Sequence, residues 1–384
     1  MKIAINCIFC QPKGGGIKEY IVNLTNNIAL SDHENTYILY VLEDQMEYAK
    51  SLLPQGFQIK SVPYKSDFLS VVKRSLFSQR FWTEEEKIEQ FDIFHSPFFH
   101  APKMKHAKLV VTVHDLRLYR YPQTYNPLRY IFLKRAVKDA IRRADHIISI
   151  SNFTKQEMVQ LCGADPDKIT VIHEAVNRKT FSADGLKGYE LPKEYTELAS
   201  YRFLFSLGHI EPRKNYPRLI EAFKKLKERK ENADLKLIIA GKKYVDYKDT
   251  VKLMEETPDV VYLDFIPREL LLWLYRNTQL FVFPSTYEGF GFPPLEAASL
   301  GTLSAVSNVS SIPEVCGDCA FYFSPTDTDE MASVMDCALN NAAQRMEKQR
   351  LLEPQLNSFS WEKNAIETIS VYHQTVIGKN SQPL

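Results

Sequence analysis

Short, nearly continuous apolar runs alternate along this chain with stretches in which apolar residues recur every three or four positions, a pattern that predicts strands and helices in turn. Lys2–Ile8, Thr36–Leu42, Phe91–His95, Leu109–Val113, His146–Ile150 and Ile169–His173 read as buried strands. Between them, Ile17, Tyr20, Ile21, Leu24 and Ile28 mark a helix. Asn126–Arg143 and Asn152–Leu161 mark two more, the last capped by Ser151 or Asn152. From Asn177 to about Tyr201 the text is polar and irregular, with Gly185, Gly188 and Pro192, and reads as a linker. The alternation then resumes. Phe203–Leu207, Leu235–Ala240, Val260–Leu263, Leu280–Phe283, Leu303–Val306 and Phe321–Phe323 are predicted strands, and Tyr216–Arg229, Glu269–Asn277, Pro294–Leu300, Asp329–Asn340 and Trp361–Ile377 predicted helices. Strands and helices in strict alternation predict parallel sheets covered by helices, an α/β protein. A length of 384 residues suits two such domains. The expected division is 1–180, a linker over 181–200, and 201–360, with a last helix over about 361–384.

Charge narrows the function. Lys+Arg total 48 against Asp+Glu 47, a net +1, without the basic excess of a nucleic-acid binder. Lys134, Arg135, Lys138, Arg142 and Arg143 nevertheless crowd one helix, read either as a solvated face or as a patch for anionic lipid or a pyrophosphate-linked acceptor. No run approaches the roughly 18 apolar residues of a membrane span, and Met1–Phe9 begins directly as a strand, so the expectation is a cytoplasmic protein, at most peripheral on the inner face of a membrane. Two Cys-x-x-Cys pairs, Cys7/Cys10 and Cys316/Cys319, raise a zinc site. Cys7 lies in a strand and the pairs fall in different domains, which favours reduced packing thiols and no metal.

Four stretches follow predicted strands directly, at the ligand edge of an open parallel sheet. Glu288-Gly-Phe-Gly-Phe-Pro-Pro-Leu-Glu296 runs from a strand into a helix. Gly289 and Gly291 permit close backbone approach, the N–H groups of Phe290, Gly291 and Phe292 point at a ligand, and Glu288 and Glu296 suit two sets of hydroxyls. A helix start decorated with Glu explains Glu296 but not the glycines. Gly208-His209-Ile210-Glu211-Pro212-Arg213-Lys214-Asn215 brings Arg213 and Lys214 to a helix start capped by Asn215, fit for a diphosphate. Gly14-Gly15-Gly16 lacks the Gly-x-Gly-x-x-Gly spacing and reads as either a phosphate loop or a flexible turn. His114-Asp115 closes a central strand, and His114 suits a sugar hydroxyl or a proton.

Together these residues make the sequence resemble glycosyltransferase family 4, the retaining family with the GT-B fold. The likeness is carried by Glu288 and Glu296 as a Glu-x7-Glu pair, by Gly208–Lys214, by Ser310-Ser311-Ile312-Pro313-Glu314-Val315, and by Gly14–Gly16, Thr112–Asp115, Ser149–Phe153 and Phe359-Ser360-Trp361. Residues 43–90 contribute nothing to it. The resemblance implies two Rossmann-like domains facing across a cleft, the first for acceptor and the second for nucleotide sugar, with the last helix crossing back to the first. It implies that Gly15, Gly16, Arg213 and Lys214 hold the diphosphate, with Gly208 in the same loop. Glu288 and the N–H groups of Phe290, Gly291 and Phe292 hold the sugar, Leu295 and Glu296 the ribose side, Ile266 the base, and His114 reaches near the reacting carbon. Where many members carry Arg after the loop glycine, this chain has His209, which throws the cationic duty on Arg213 and Lys214.

With no agreed nucleophile, front-face substitution is the expected route, independent of metal and of any cofactor. GDP-mannose is the first donor expected and a UDP-sugar the second, with a saccharide or lipid-linked saccharide of surface polysaccharide as acceptor. Lys65–Trp82 and His95–Lys105 are candidate acceptor surfaces, although a packed loop explains His95-Ser-Pro-Phe-Phe-His100 equally well. A nicotinamide dehydrogenase lacks its glycine fingerprint here. A nucleotide-sugar epimerase would need no acceptor, and a non-catalytic sugar-binding subunit would lack one of the four stretches.

Overall fold

The computed structural model describes residues 1–12, 14–99 and 101–377, with side chains for all of these but 68–77. The chain forms two compact units, residues 1–175 joined by the segment from 360 onward, and residues 176–359.

In the first unit seven parallel strands form one sheet: β1 (Lys2–Asn6), β2 (Thr36–Leu42), β3 (Gln58–Val62), β4 (Ile93–Ser96), β5 (Lys108–Val113), β6 (His146–Ser149) and β7 (Ile169–Val171). Their order is β3-β2-β1-β4-β5-β6-β7. Ala4 pairs with Ile38 on one side and with Phe94 on the other, so the strand order reverses between β1 and β4. Consecutive residues Ile3, Ala4 and Ile5 are all buried, as expected of a strand covered on both faces.

The helix Trp361–Ile377 packs on Gly15–Ser31 of the same unit, burying Trp361, Ala365, Val371 and Tyr372. Its Tyr372 hydroxyl lies 2.7 Å from Nδ1 of His95, whose Nε2 lies 2.8 Å from Thr112 Oγ1. Burial holds His95 down at about 3, so it stays neutral.

The second unit repeats the plan with β8 (Phe203–Leu207), β9 (Lys236–Ala240), β10 (Val260–Leu263), β11 (Leu280–Phe283), β12 (Ser304–Ser307) and β13 (Phe321–Phe323), in the order β10-β9-β8-β11-β12-β13. Here the reversal falls between β8 and β11, where Phe205 pairs with Phe281. Both rings are fully buried, and truncating either to Ala would cost about 3–5 kcal/mol.

Three differences from the sequence reading have physical causes. The expected linker over 181–200 belongs to the second unit: Leu198 is buried, and Phe181, Leu186 and Leu191 pack on the core around it. Its short helical turns Ala183–Leu186 and Lys193–Ser200 have too few residues to show a helical period. The strand β3, within 43–90, sits at the sheet edge with mostly half-exposed residues, so its apolar signal is weak. The sequence pattern also marks no helix at Phe68–Glu89, Lys248–Glu256 or Ala342–Asn357; the last buries Leu352 and Leu356 one turn apart, too short an apolar stripe to set a period over its length.

Candidate functional site

The reversal between β8 and β11 brings two loops side by side that are far apart in sequence. The β8 loop, Gly208–Asn215, and the β11 loop, Pro284–Gly291, interlock through backbone: Thr286 N–H donates to Arg213 O at 2.8 Å. Asn215 occupies the position before helix Tyr216–Lys227 but does not cap it. Its amide instead donates to the carbonyls of Pro284 (3.2 Å) and Pro325 (2.8 Å), which hold Asn215 at a left-handed φ of 59°.

Within this frame four charges meet. Lys214 Nζ and an Arg213 terminal nitrogen both lie 2.7 Å from Oε1 of Glu288, and Arg213 Nε lies 2.8 Å from Glu211. Arg213 also donates to Tyr287 O at 3.0 Å. The Lys214 ammonium stands 4.6 Å from the Phe283 ring centre. An added Cβ on Gly208 would lie 2.7 Å from Lys214 Cε, so glycine there makes the room in which the lysine rests. Burial by itself would raise Glu288, but Arg213 and Lys214 outweigh it and hold the carboxyl down at about 2. Lys214 is lowered, by burial first and by Arg213 next, with Glu288 opposing.

Arg213, Lys214 and Glu288, from two loops well separated in sequence, are thus ion-paired partners on one sheet edge of one unit. Ser310 and Ser311, quoted above only for likeness, brace that loop. Glu288 N–H donates to Ser310 Oγ at 3.1 Å, and Ser311 Oγ donates to the carbonyls of Glu288 (2.9 Å) and Phe290 (2.8 Å). Gly291, at a left-handed φ of 103°, turns the chain into helix Phe292–Ser299. One turn in, Glu296 accepts from the Tyr275 hydroxyl at 2.7 Å, a partner that no local signal in the sequence marks.

Leu295, Phe290 and Ile266 are buried. Beside Ile266 it is Phe265 that stands out, 69% exposed, with Lys242 Nζ 4.3 Å from its ring centre. His209 stacks on Tyr244, centroids 5.3 Å apart.

In the first unit, loops after β1, β4 and β5 gather at the sheet's carboxyl edge. An added Cβ on Gly14 would lie 2.1 Å from Phe9 O, whereas Gly15 and Gly16 have open space around them. Gly14 thus answers to packing and only Gly15 and Gly16 are open to a ligand. His114 already engages both ring nitrogens, Nδ1 3.1 Å from Glu174 and Nε2 2.8 Å from the Pro97 carbonyl. Burial works against its charge, but the Glu174 carboxylate wins and raises it. A ring nitrogen of His114 meets a substrate only by giving up Pro97 or Glu174. Its partner Glu174 escaped the sequence reading, since it sits 60 residues away. His95, Ser96 and Phe98 are buried, which favours a packed loop over an acceptor surface there. His100 and the side chains of 68–77 lie outside the described residues. Cys7 and Cys10 are buried in the first unit and Cys316 and Cys319 in the second. Among the described residues no three His, Cys, Asp or Glu gather as a metal-ligand set.

Two parallel sheets of this order, each with its loops at the reversal point, are Rossmann-like domains, the build shared with GT-B glycosyltransferases. Residues 14–180 match the family described as Glycosyltransferase Family 4, and 190–351 match Glycosyl transferases group 1. The chain is 30% identical over 286 residues to O-antigen chain mannosyltransferase B of Escherichia coli, covering 73% of this chain and 74% of that one. The fold is shared with sucrose-phosphate synthase of Thermosynechococcus elongatus (TM-score 0.75, 16% identity, 97% and 98% covered). It is shared too with Anabaena HepE solved with UDP and glucose (TM-score 0.71, 16% identity, 97% and 100% covered). This protein belongs to glycosyltransferase family 4.

Proposed function

We propose that this enzyme transfers mannose from GDP-mannose, with retention, onto a saccharide or lipid-pyrophosphate-linked saccharide during surface polysaccharide assembly. The observation that carries the donor site is the Arg213–Glu288–Lys214 cluster at the reversal of the second sheet. Support for mannose and for polysaccharide is the likeness to the Escherichia coli O-antigen enzyme.

On this reading donor arrival exchanges partners. The diphosphate takes Arg213 and Lys214, and Glu288 turns to the sugar hydroxyls, with Phe290, Gly291 and Phe292 offering N–H groups and Glu296 the ribose contact. Gly15, Gly16 and Gly208 let backbone approach the phosphates. The bond from the anomeric carbon to the diphosphate then breaks as the acceptor oxygen bonds on the same face, and the acceptor's proton passes to a diphosphate oxygen. The protein contributes positioning and charge stabilisation. Because cations and helix starts carry the leaving group, turnover is expected to persist in EDTA.

A thermal-shift series with GDP, UDP and their sugars, followed by product analysis, tests the proposal. GDP and GDP-mannose are expected to stabilise the protein. Stabilisation by UDP alone overturns the donor, and stabilisation by neither overturns the donor site.

A further inference from the structure

Helix Pro127–Arg143 leaves large apolar side chains in solvent: Leu128 is 80% exposed, Phe132 49% and Ile131 46%. Its inner face, Val137, Ala140 and Ile141, is buried. At 3.6 residues per turn, Leu128, Ile131, Arg135, Lys138 and Arg142 share one outer face, spaced alternately three and four residues apart. All five are exposed. The outer face is thus divided along its length, with apolar first turns and cationic last turns. Arg143 is not part of it, since its guanidinium is half-buried and tied to Asp139 and to the carbonyls of Ala101 and Pro102, whereas Arg142 pairs with Asp139 at 3.1 Å but stays in solvent. Arg135 and Lys138 make no ion pair among the described residues. The chain leaves β5 at its carboxyl end and enters β6 at its amino end, so the apolar turns lie toward the edge that carries His114 and Gly14–Gly16.

We propose that this face docks the protein on an anionic lipid surface. Leu128, Ile131 and Phe132 enter the boundary between headgroups and acyl chains, while Arg135, Lys138 and Arg142 meet lipid phosphates. A second copy of the chain fits poorly: pairing this face with itself sets the cations Arg135 and Lys138 against apolar side chains or against other cations. The proposal rests on the lipid-linked acceptor proposed above only for its purpose, since a lipid-borne acceptor would arrive at this same edge.

Co-sedimentation of the full chain with vesicles of phosphatidylcholine, alone or mixed with phosphatidylglycerol, tests it without any turnover. Binding to the anionic vesicles, weakened by salt, is expected. Arg135→Ser and Lys138→Ser should each lower partitioning about fivefold, and Leu128→Ser with Phe132→Ser should lower it at least as far. These exposed positions should leave the melting temperature unchanged. No binding to anionic vesicles, binding equal in all variants, or a self-association in sedimentation velocity that Leu128→Ser and Phe132→Ser abolish would each overturn the proposal. Vesicle binding without sugar transfer keeps the docking face and sinks the proposed function; transfer without vesicle binding does the reverse.

Discussion

Glu288 lies between two cations with little water around it, and its protonation follows from that. Its folded value of about 2 is below the ordinary 4.5, so its stabilisation is complete above about pH 4.5 and is lost as pH falls toward 2. The linkage is on the order of 3 kcal/mol. Acid unfolding followed by circular dichroism is expected to lose a pH-dependent step over that window in Glu288→Gln. Arg213→Ala or Lys214→Ala should lower kcat about a hundredfold, as expected for loss of one charge contact to a leaving group; near-normal rates in both would dismiss the role. His114 titrates the other way. Its raised value makes its contribution full below 6.5 and lost as pH rises through the folded value. Glu174→Gln should bring the imidazole titration, read by NMR, to lower pH. At this scale the sequence revealed the charged residues at strand ends but not who pairs with whom. Arg213 and Glu288 stood out, whereas Glu174 and Tyr275 did not, because each meets its partner only through the fold.

Strand-to-helix loops are the elements in which this site is built, and the glycines after β1 separate packing from binding. Gly16 lies near the start of helix Gly15–Ser31 with open space, so Gly16→Ala should keep or raise stability, by up to about 1 kcal/mol in thermal unfolding. Its activity should fall if the backbone there meets the diphosphate. Gly14→Ala, facing Phe9 O, should destabilise outright. Elements buried on both faces were legible from their apolar runs, as β8 and β11 illustrate. Those at the margins were not: β3 is an edge strand, and the turns of 181–200 pack by single residues such as Leu198.

Taken whole, each unit closes on long-range contacts. Tyr372 on the returning helix meets His95 across 277 residues of chain. Tyr372→Phe leaves a buried ring nitrogen without its partner and should cost about 1–3 kcal/mol in chemical denaturation. The alternation of short apolar runs with helical periods determined, by itself, that this protein is built of parallel α/β sheets and which loops lie at their ligand edges, because burial on both faces of a strand is written locally. Tertiary structure decided which loops become neighbours. Lys214 and Glu288 are 74 residues apart and share a contact only because β11 crosses over to pair with β8. Hydrogen bonding between distant strands leaves no periodic trace in the chain, so the ion pairs at the centre of the site were settled there.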